Sequence, residues 1–354
     1  MSPLRLGLDS FSLRWQGWDA FQILDYAGQV GLDNVHFSER RHLATLDEDY
    51  LATLKRRADE RGLTLELGML TFNKFGRGFN AELGSGEQQL MEMARAAHAV
   101  GSPIVRCVLG FQADRLGEVP FAQHVEECIR ALRAAGPVAR DLGVRFAVEN
   151  HGGVDLLARE LKALIEAAGT DIAGACLDTG NPVYGGEDPL LSAEVLAPYI
   201  ISSHVRDSRV WAVEDGAMAQ WVPMGQGQMD MRRIVDIMAE QASDAPASPR
   251  PAPPASPRLA PPVDLEIITG GEPKHIPYLD QDSDYWRMYP DMPAPDFARF
   301  VALAERGRPE PLDQLIQPRG PGNPPDEAMR AQQLRHLEES VTYCKEVLGL
   351  GLRR

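Results

Sequence analysis

The sequence predicts an α/β fold, a closed (β/α)8 barrel, on three observations. Short apolar runs alternate with amphipathic helical runs; Gly31, Gly62, Gly101, Gly143 and Gly169 each stand between a helical run and the apolar run after it; and no Gly-x-Gly-x-x-Gly loop opens the first helix. Alternating β and α implies a parallel sheet, either open and doubly wound or closed. A left-handed C-cap at each glycine turns the chain back into that sheet. The missing phosphate loop counts against the open dinucleotide-binding version.

Residues 4–9 read as strand one. Asp19 caps a helix whose Phe21, Leu24 and Ala27 recur at helical spacing before Gly31. Strand two is 32–37, followed by a helix over 47–61; strand three is 64–70, followed by a helix over 86–100. Strand four, 103–109, precedes a long helix at 121–142, and strand five starts at Val144. A fifth helix ends at Ala168, 172–177 is strand six, and a short helix covers 192–198. Strand seven, 200–204, leads into a long loop carrying Trp211 and Trp221, then a helix over 229–241. Residues 243–262 are rich in Ala, Pro, Ser and Arg and cannot bury a core, which makes them a flexible insertion. Strand eight is 263–268, with 296–306 as its helix and 326–348 as a further amphipathic helix. The expected organisation is a barrel over 1–310, interrupted at 243–262, and a C-terminal extension over 311–354 with one helix.

A chain of 354 residues accommodates one barrel of ~250 residues with insertions. Its formal net charge of -15 repels phosphate backbones and anionic lipid, so neither nucleic acid nor a membrane is an expected partner. Cys107, Cys128, Cys176 and Cys344 form no CxxC pair; buried free thiols, and hence a reducing cytoplasm, are expected. No leader-like segment opens the sequence and no apolar window reaches the ~18 residues of a membrane span.

Four consecutive apolar runs end in a hard oxygen or imidazole ligand: Val144-Arg-Phe-Ala-Val-Glu149, Gly174-Ala-Cys-Leu-Asp178, Tyr199-Ile-Ile-Ser-Ser-His204 and Pro262-Val-Asp-Leu-Glu266. Barrel strands present functional groups at their C-terminal ends. The spacings are 29, 26 and 62 residues, one βα unit for each of the first two and one unit plus the insertion and tryptophan loop for the third. Neighbouring strands lie ~4.8 Å apart, so Glu149, Asp178, His204 and Glu266 can converge on one divalent ion. Three carboxylates and an imidazole suit Mn²⁺, Mg²⁺ or Co²⁺ rather than a thiolate-selected metal. Taken singly, each is as well explained by a turn or a satisfied core group.

His151 shares a strand face with Glu149 and is either a proton carrier or a loop donor to a substrate hydroxyl. His36 could face the same mouth, with a structural role as the simpler reading; His42, His98, His124 and His336 fall in or beside helices and are expected to face solvent. His275 could reach the site from the loop after strand eight. Arg206 and Asp207 bind substrate oxygens or pair with each other. Phe11, Trp15, Trp211, Trp221 and Trp286 follow strands one, seven and eight, where flat rings can pack on a sugar; core or oligomer contacts are the plainer alternative, and a homo-oligomer is compatible with either.

The motifs Glu149-Asn-His, Leu177-Asp-Thr-Gly-Asn181, His204-Val-Arg-Asp207, Gly225-Gln-Gly-Gln-Met-Asp230 and Leu265-Glu266 resemble those of the xylose isomerase-like TIM-barrel superfamily, in its sugar phosphate isomerase/epimerase branch. The resemblance covers roughly residues 4–306. It implies a (β/α)8 TIM barrel in which Glu149, Asp178, His204 and Glu266 bind one divalent ion, often manganese, and Glu149 and Glu266 flank the substrate and move protons. Arg206 stands where the branch commonly has Lys, and Gln226 where it has Glu, which alters the expected substrate contacts. The repair-endonuclease relatives need further His ligands on early strands, and residues 64–70 offer none.

The expected chemistry is therefore metal-dependent proton abstraction next to a carbonyl by a sugar or keto-sugar isomerase or epimerase. A lyase or dehydratase with His151 as base, acting on an inosose, dehydroshikimate or a 3-keto-glycoside, and a non-catalytic carbohydrate-binding barrel are the alternatives. Overall acidity and the lack of a phosphate cradle favour a neutral sugar.

Overall fold

The computed structural model describes residues 4–244, 260–309, 315 and 325–352. Most of the expected insertion at 243–262 and the start of the expected extension at 311–354 lie outside the described residues. Eight parallel strands form the barrel in the order of the chain: Leu6–Asp9, Asn34–Phe37, Thr64–Thr71, Ile104–Val108, Arg145–Glu149, Ala173–Asp178, Ile200–His204 and Val263–Leu265. Strand eight pairs with strand one. The ring closes against strand seven through a parallel bridge between Val205 and Leu265, with Val205 N–H donating to Asp264 O at 2.7 Å and Glu266 N–H to Val205 O at 3.1 Å. The sequence expectation of a (β/α)8 TIM barrel is met.

Alternation along each strand sorts the side chains. Leu6, Leu8, Val35, Phe37, Leu65, Leu67, Phe146, Val148, Ala175, Leu177, Val263 and Leu265 join the core between sheet and helices. Their neighbours Asn34, His36, Glu66, Arg106, Glu149, Asp178, His204 and Asp264 are buried yet absent from that core, because they point into the barrel. A polar interior is unusual for this fold, whose inward layers are dominated by branched apolar residues. It is packed tightly: a Cβ on Gly7 would lie 1.9 Å from Asp264 Oδ1, so only glycine fits there.

Helices start and stop where local chemistry dictates. Asp19 and Ser85 make capping boxes with Gln22 and Gln88. Gly62, Gly101 and Gly143 are left-handed C-caps, and Gly31 follows its helix at φ 72°. Gly169 differs from expectation: its φ 115° is positive, as glycine allows, but its ψ 123° takes it outside the left-handed helical conformation of the other caps.

Three further differences from the sequence reading concern packing. The expected loop with Trp211 and Trp221 is an antiparallel hairpin, Asp207–Val213 and Gly216–Val222, extended by Lys274–Ile276. Its signal was the Glu214-Asp-Gly216 turn between two β-branched and aromatic runs. The helix Ala294–Arg306 packs Phe300 and Ala304 with Val210 of this small sheet and with Tyr278 just after it. It is the C-terminal helix Glu327–Glu346 that enters the main core, through Leu337, Val341 and Cys344. Among the histidines, His124 is buried on Asn73 Nδ2 at 2.8 Å and His336 on Thr269 Oγ1 at 3.2 Å, while His42 is half-buried on Ser10 Oγ at 2.6 Å. Of those four only His98 is exposed, because helix faces that looked polar are covered by loops and by the C-terminal helix. All four cysteines are buried free thiols. Among the described residues no helix is long and apolar enough to cross a membrane.

Candidate metal centre and active site

Parallel register brings the strand tips level. Asp178 pairs with His204 across strands six and seven, Val108 with Glu149 across strands four and five, and Asp9 with His36 across strands one and two. Glu149, Asp178, His204 and Glu266 each offer one ligand atom, and the four atoms lie within 4.8 Å of one another. The first three are fully buried and Glu266 is 8% exposed. Asn150 ties two of the tips together: its amide donates to Asp178 O at 2.9 Å and its carbonyl accepts Asp178 N–H at 2.9 Å.

Each carboxylate is answered by a cation. Arg106 Nε donates to Glu149 Oε2 at 2.5 Å, and Arg206 donates to Asp178 Oδ2 at 2.7 Å and to Glu266 Oε2. Asp178 Oδ1 also accepts the N–H groups of Gly180 and Asn181 at 2.7 and 2.6 Å. Gly180 has to be glycine, since a Cβ there would meet Arg206 Nε at 2.1 Å. Burial raises the carboxyl pKa of Glu149, but Arg106 and His204 more than offset it and hold the group well below the usual range. Arg206 and His204 likewise outweigh burial at Glu266, whose pKa is lowered.

His204 is the centre of the arrangement. Its Nδ1 lies 2.9 Å from Glu149 Oε2 and 3.7 Å from Glu266 Oε2, and its Nε2 lies 3.1 Å from His36 Nδ1 and 3.6 Å from Asp9 Oδ2. Burial disfavours the imidazolium, yet Glu149, Glu266 and Asp9 together push its pKa up to about 10. His36, whose pKa burial and His204 drive well below normal, is neutral and can accept from Nε2–H.

Whether a divalent ion fits can be tested on these atoms. His204 Nδ1 is buried between two carboxylates yet has no aligned hydrogen-bond partner, and Asp9 Oδ2 and His36 Nε2 beside it are also buried and unbonded. A position where carboxylates already draw a positive imidazole is one where a cation is favoured. Glu149 and Glu266 each turn Oε2 toward a guanidinium and keep Oε1 outside that pairing, whereas both oxygens of Asp178 are engaged, Oδ2 by Arg206 and Oδ1 by two backbone N–H groups, and an ion there would share an oxygen with them. The residues fit a hard, oxygen-rich divalent site.

The remaining sequence candidates divide. His151 is half-buried, its Nδ1 2.8 Å from Gly110 O, an acceptor that requires Nδ1–H and leaves Nε2 with its lone pair. Burial and Arg106 lower its pKa to about 4, so the ring is neutral near pH 7. Arg206 belongs to the cluster but does not pair with Asp207. Asp207 instead accepts the N–H groups of Ser208, Gly225, Gly227 and Met229 at 2.8 to 3.3 Å, so it shapes the Gly225-Gln-Gly227 turn and does not face the mouth. His275 does not reach the site: it is exposed on the small sheet and paired with Asp215 at 2.8 Å. Trp15 is buried, its backbone N–H on Gln333 Oε1 at 3.2 Å and its ring covered by the Arg14 guanidinium, so it packs instead of offering a face. Trp221 sits beside the cluster, stacked on Tyr184 at 4.3 Å and under Arg206 at 4.2 Å. Asp9 and Arg106 were missed as members of the cluster, while His36, read as able to face the mouth but more simply structural, lies against His204. The signal was there, since each is a lone polar group in an apolar strand run: Leu6-Gly-Leu-Asp9, Val35-His-Phe37 and Val105-Arg-Cys-Val108.

Fold and cluster together define a TIM barrel with a carboxylate and imidazole centre at the C-terminal mouth. The chain belongs to the xylose isomerase-like TIM barrel family, whose model matches residues 17–257. Among solved structures, D-psicose 3-epimerase from Clostridium cellulolyticum H10, determined with D-tagatose, is 12% identical with a TM-score of 0.59, covering 85% of this chain and 100% of that one. A xylose isomerase-like TIM barrel protein from Mycobacterium smegmatis in complex with magnesium is 14% identical with a TM-score of 0.56, covering 85% and 96%. The probable 3-DHS dehydratase AsbF from Bacillus anthracis is 13% identical with a TM-score of 0.54, covering 86% and 100%. At such identities these likenesses concern the fold. Comparison with curated proteins gave no match.

Proposed function

We propose that this protein is a divalent-metal-dependent isomerase or epimerase of a sugar or keto-sugar, with Glu149, Asp178, His204 and Glu266 as the ligands of one ion, manganese first and magnesium or cobalt as alternatives. The observation that carries the reading is the pair of buried, ionised carboxylates of Glu149 and Glu266 on either side of His204 Nδ1, each backed by a guanidinium. When bound, the ion supplies Lewis-acid stabilisation of the negative charge that develops on substrate oxygens. Glu149 and Glu266 form the acid/base pair: one takes the proton from the carbon next to the carbonyl, the electron pair moves to the carbonyl oxygen to give an enediolate, and the carboxyl so formed returns a proton to the adjacent carbon in an isomerase, whereas in an epimerase the second carboxylate delivers one that it has first taken from solvent. Arg106 and Arg206 keep both carboxylates ionised and oriented. Trp221 and Tyr184 wall the approach and exclude water. Replacing Glu266 with Gln is expected to abolish solvent-deuterium incorporation at that carbon while leaving the fold intact; retained incorporation counts against the pair.

A lyase or dehydratase reading is favoured by a separate observation, the neutral ring of His151 with its Nε2 lone pair unengaged among the described residues. In that reading His151 removes the proton and the β-substituent leaves. Product mass separates the two, since isomerisation conserves it and elimination loses water or an aglycone. A carbohydrate-binding barrel without catalysis would be indifferent to chelation.

A further inference from the structure

The loop after strand one is fastened to strand eight. Ser12 Oγ donates to Leu265 O at 2.9 Å and accepts Ile267 N–H at 2.8 Å, on either side of Glu266. Two residues further on, Arg14 is held flat, its guanidinium carbon 4.8 Å from the Phe11 ring and 4.6 Å from the Trp15 ring. Its only hydrogen bonds among the described residues go to backbone oxygens, Thr269 O at 2.7 Å and Phe11 O at 3.4 Å. A guanidinium has five N–H donors, so three remain unassigned. Glu266 and Arg206 are near enough for Arg14 to feel their charges.

The contrast with its neighbours is chemical. Arg106 and Arg206 at the same mouth each sit on carboxylates, as does Arg115 on Glu160. Arg14 is half-buried and no ion pair reaches it among the described residues. Lys274 across the mouth is similar: Nζ binds Gln112 Oε1 at 2.5 Å and Gly153 O at 2.7 Å, over the Tyr184 ring at 5.0 Å, with neutral partners alone. Burial lowers Arg14 to about 10 and Lys274 to about 8, as befits cations that have given up water without gaining an anion. In a chain with 51 acidic and 36 basic residues, two cations that meet no carboxylate among the described residues run against the overall balance.

We infer that the substrate of this site carries an anionic group, a carboxylate or a phosphate, and that Arg14 receives it. The inference rests on the reading of the mouth as the active site and revises the preference for a neutral sugar that overall acidity suggests. A purely structural Arg14 would clip the loop to Thr269 and have no effect on which ligand binds.

The test is calorimetry on the full chain with glucose, glucuronate and glucose 6-phosphate, which share a ring and differ in one group. A charged hexose is expected to bind roughly ten- to a hundredfold more tightly than glucose, the scale of a charge-assisted hydrogen bond. The arm that gains identifies carboxylate or phosphate. Arg14→Met is expected to remove that preference, with Mn²⁺ stoichiometry unchanged by electron paramagnetic resonance. Should Arg14→Met not fold, Arg14→Lys, which keeps charge but loses the planar fork, is expected to weaken the favoured hexose about fivefold. The inference is overturned if neither charged hexose binds more tightly than glucose, or if the substituted protein keeps the preference. Running the series with chelator and with Mn²⁺ separates the two ideas: failure of Mn²⁺ to bind rejects the metal reading, while the charged-over-neutral ratio decides Arg14 either way.

Discussion

His204 Nε2 lies 3.1 Å from His36 Nδ1, a contact between two buried rings on opposite sides of the chain's register, strand two and strand seven. Because His36 is held neutral, the contact places a proton on His204 Nε2 and frees Nδ1 to face Glu149 and Glu266. His36 thus acts as a positioning residue. Partners of this kind typically govern 10–100-fold in metal affinity. His36→Leu is therefore expected to weaken Mn²⁺ binding by about that factor, measured by titration, with thermal stability of the chelated protein changed far less.

Metal binding should release protons. With its pKa at about 10, His204 is an imidazolium at pH 7 in the metal-free protein and has to give up Nδ1–H to act as a ligand. Calorimetric titrations at pH 7 in buffers of different ionisation enthalpy should show about two protons released per ion, the second from Asp178, whose carboxyl burial pushes up to about 8. No buffer dependence would mean that His204 does not ligate.

Arg206 joins Asp178 and Glu266 in one buried group. Removing it alone leaves both carboxylates without their cation, a change that typically costs about 3–5 kcal/mol. Arg206→Met should lower the denaturant midpoint of the chelated protein accordingly, and Mn²⁺ should restore much of the loss. A midpoint within error of the parent would contradict the ion-pair description.

Much of this was legible in the sequence. The strand-terminal rule found Glu149, Asp178, His204 and Glu266 because a parallel barrel turns a one-dimensional pattern, an apolar run ending in a ligand, into a ring of neighbours. The same rule applied to Leu6–Asp9 would have found Asp9. Arg106 escaped because a charge in mid-strand normally argues against burial, and only the partner on the next strand explains it. The misplaced residues share a cause. Asp207, His275 and Trp15 lie in segments that follow barrel strands and whose course is set by the small antiparallel sheet and by the C-terminal helix, and neither contact is local in sequence.

Stability should fall in mildly alkaline solution. Asp155 receives the N–H groups of Gly110, His151 and Leu156, and burial pushes its pKa up to about 8 from 3.8. Burial also lifts Glu187 to about 7 from 4.5. A carboxyl whose pKa is higher in the folded state contributes stability that is complete below the unfolded value and is lost as pH rises through the folded one. Melting temperature in chelator is thus expected to decline between pH 6 and pH 9, with His204 extending the decline toward pH 10. A melting temperature that rises over that range would contradict these assignments.

The central claim is that Glu149, Asp178, His204 and Glu266 grip one divalent ion together. Metal analysis of the full chain after Mn²⁺ loading and gel filtration tests it directly, on the parent protein and on Glu149→Gln, Asp178→Asn and His204→Ala. The account predicts one ion per chain in the parent and its loss from each substituted protein that retains the parent's circular dichroism. A full complement of metal in folded His204→Ala, or none in the parent, would contradict it.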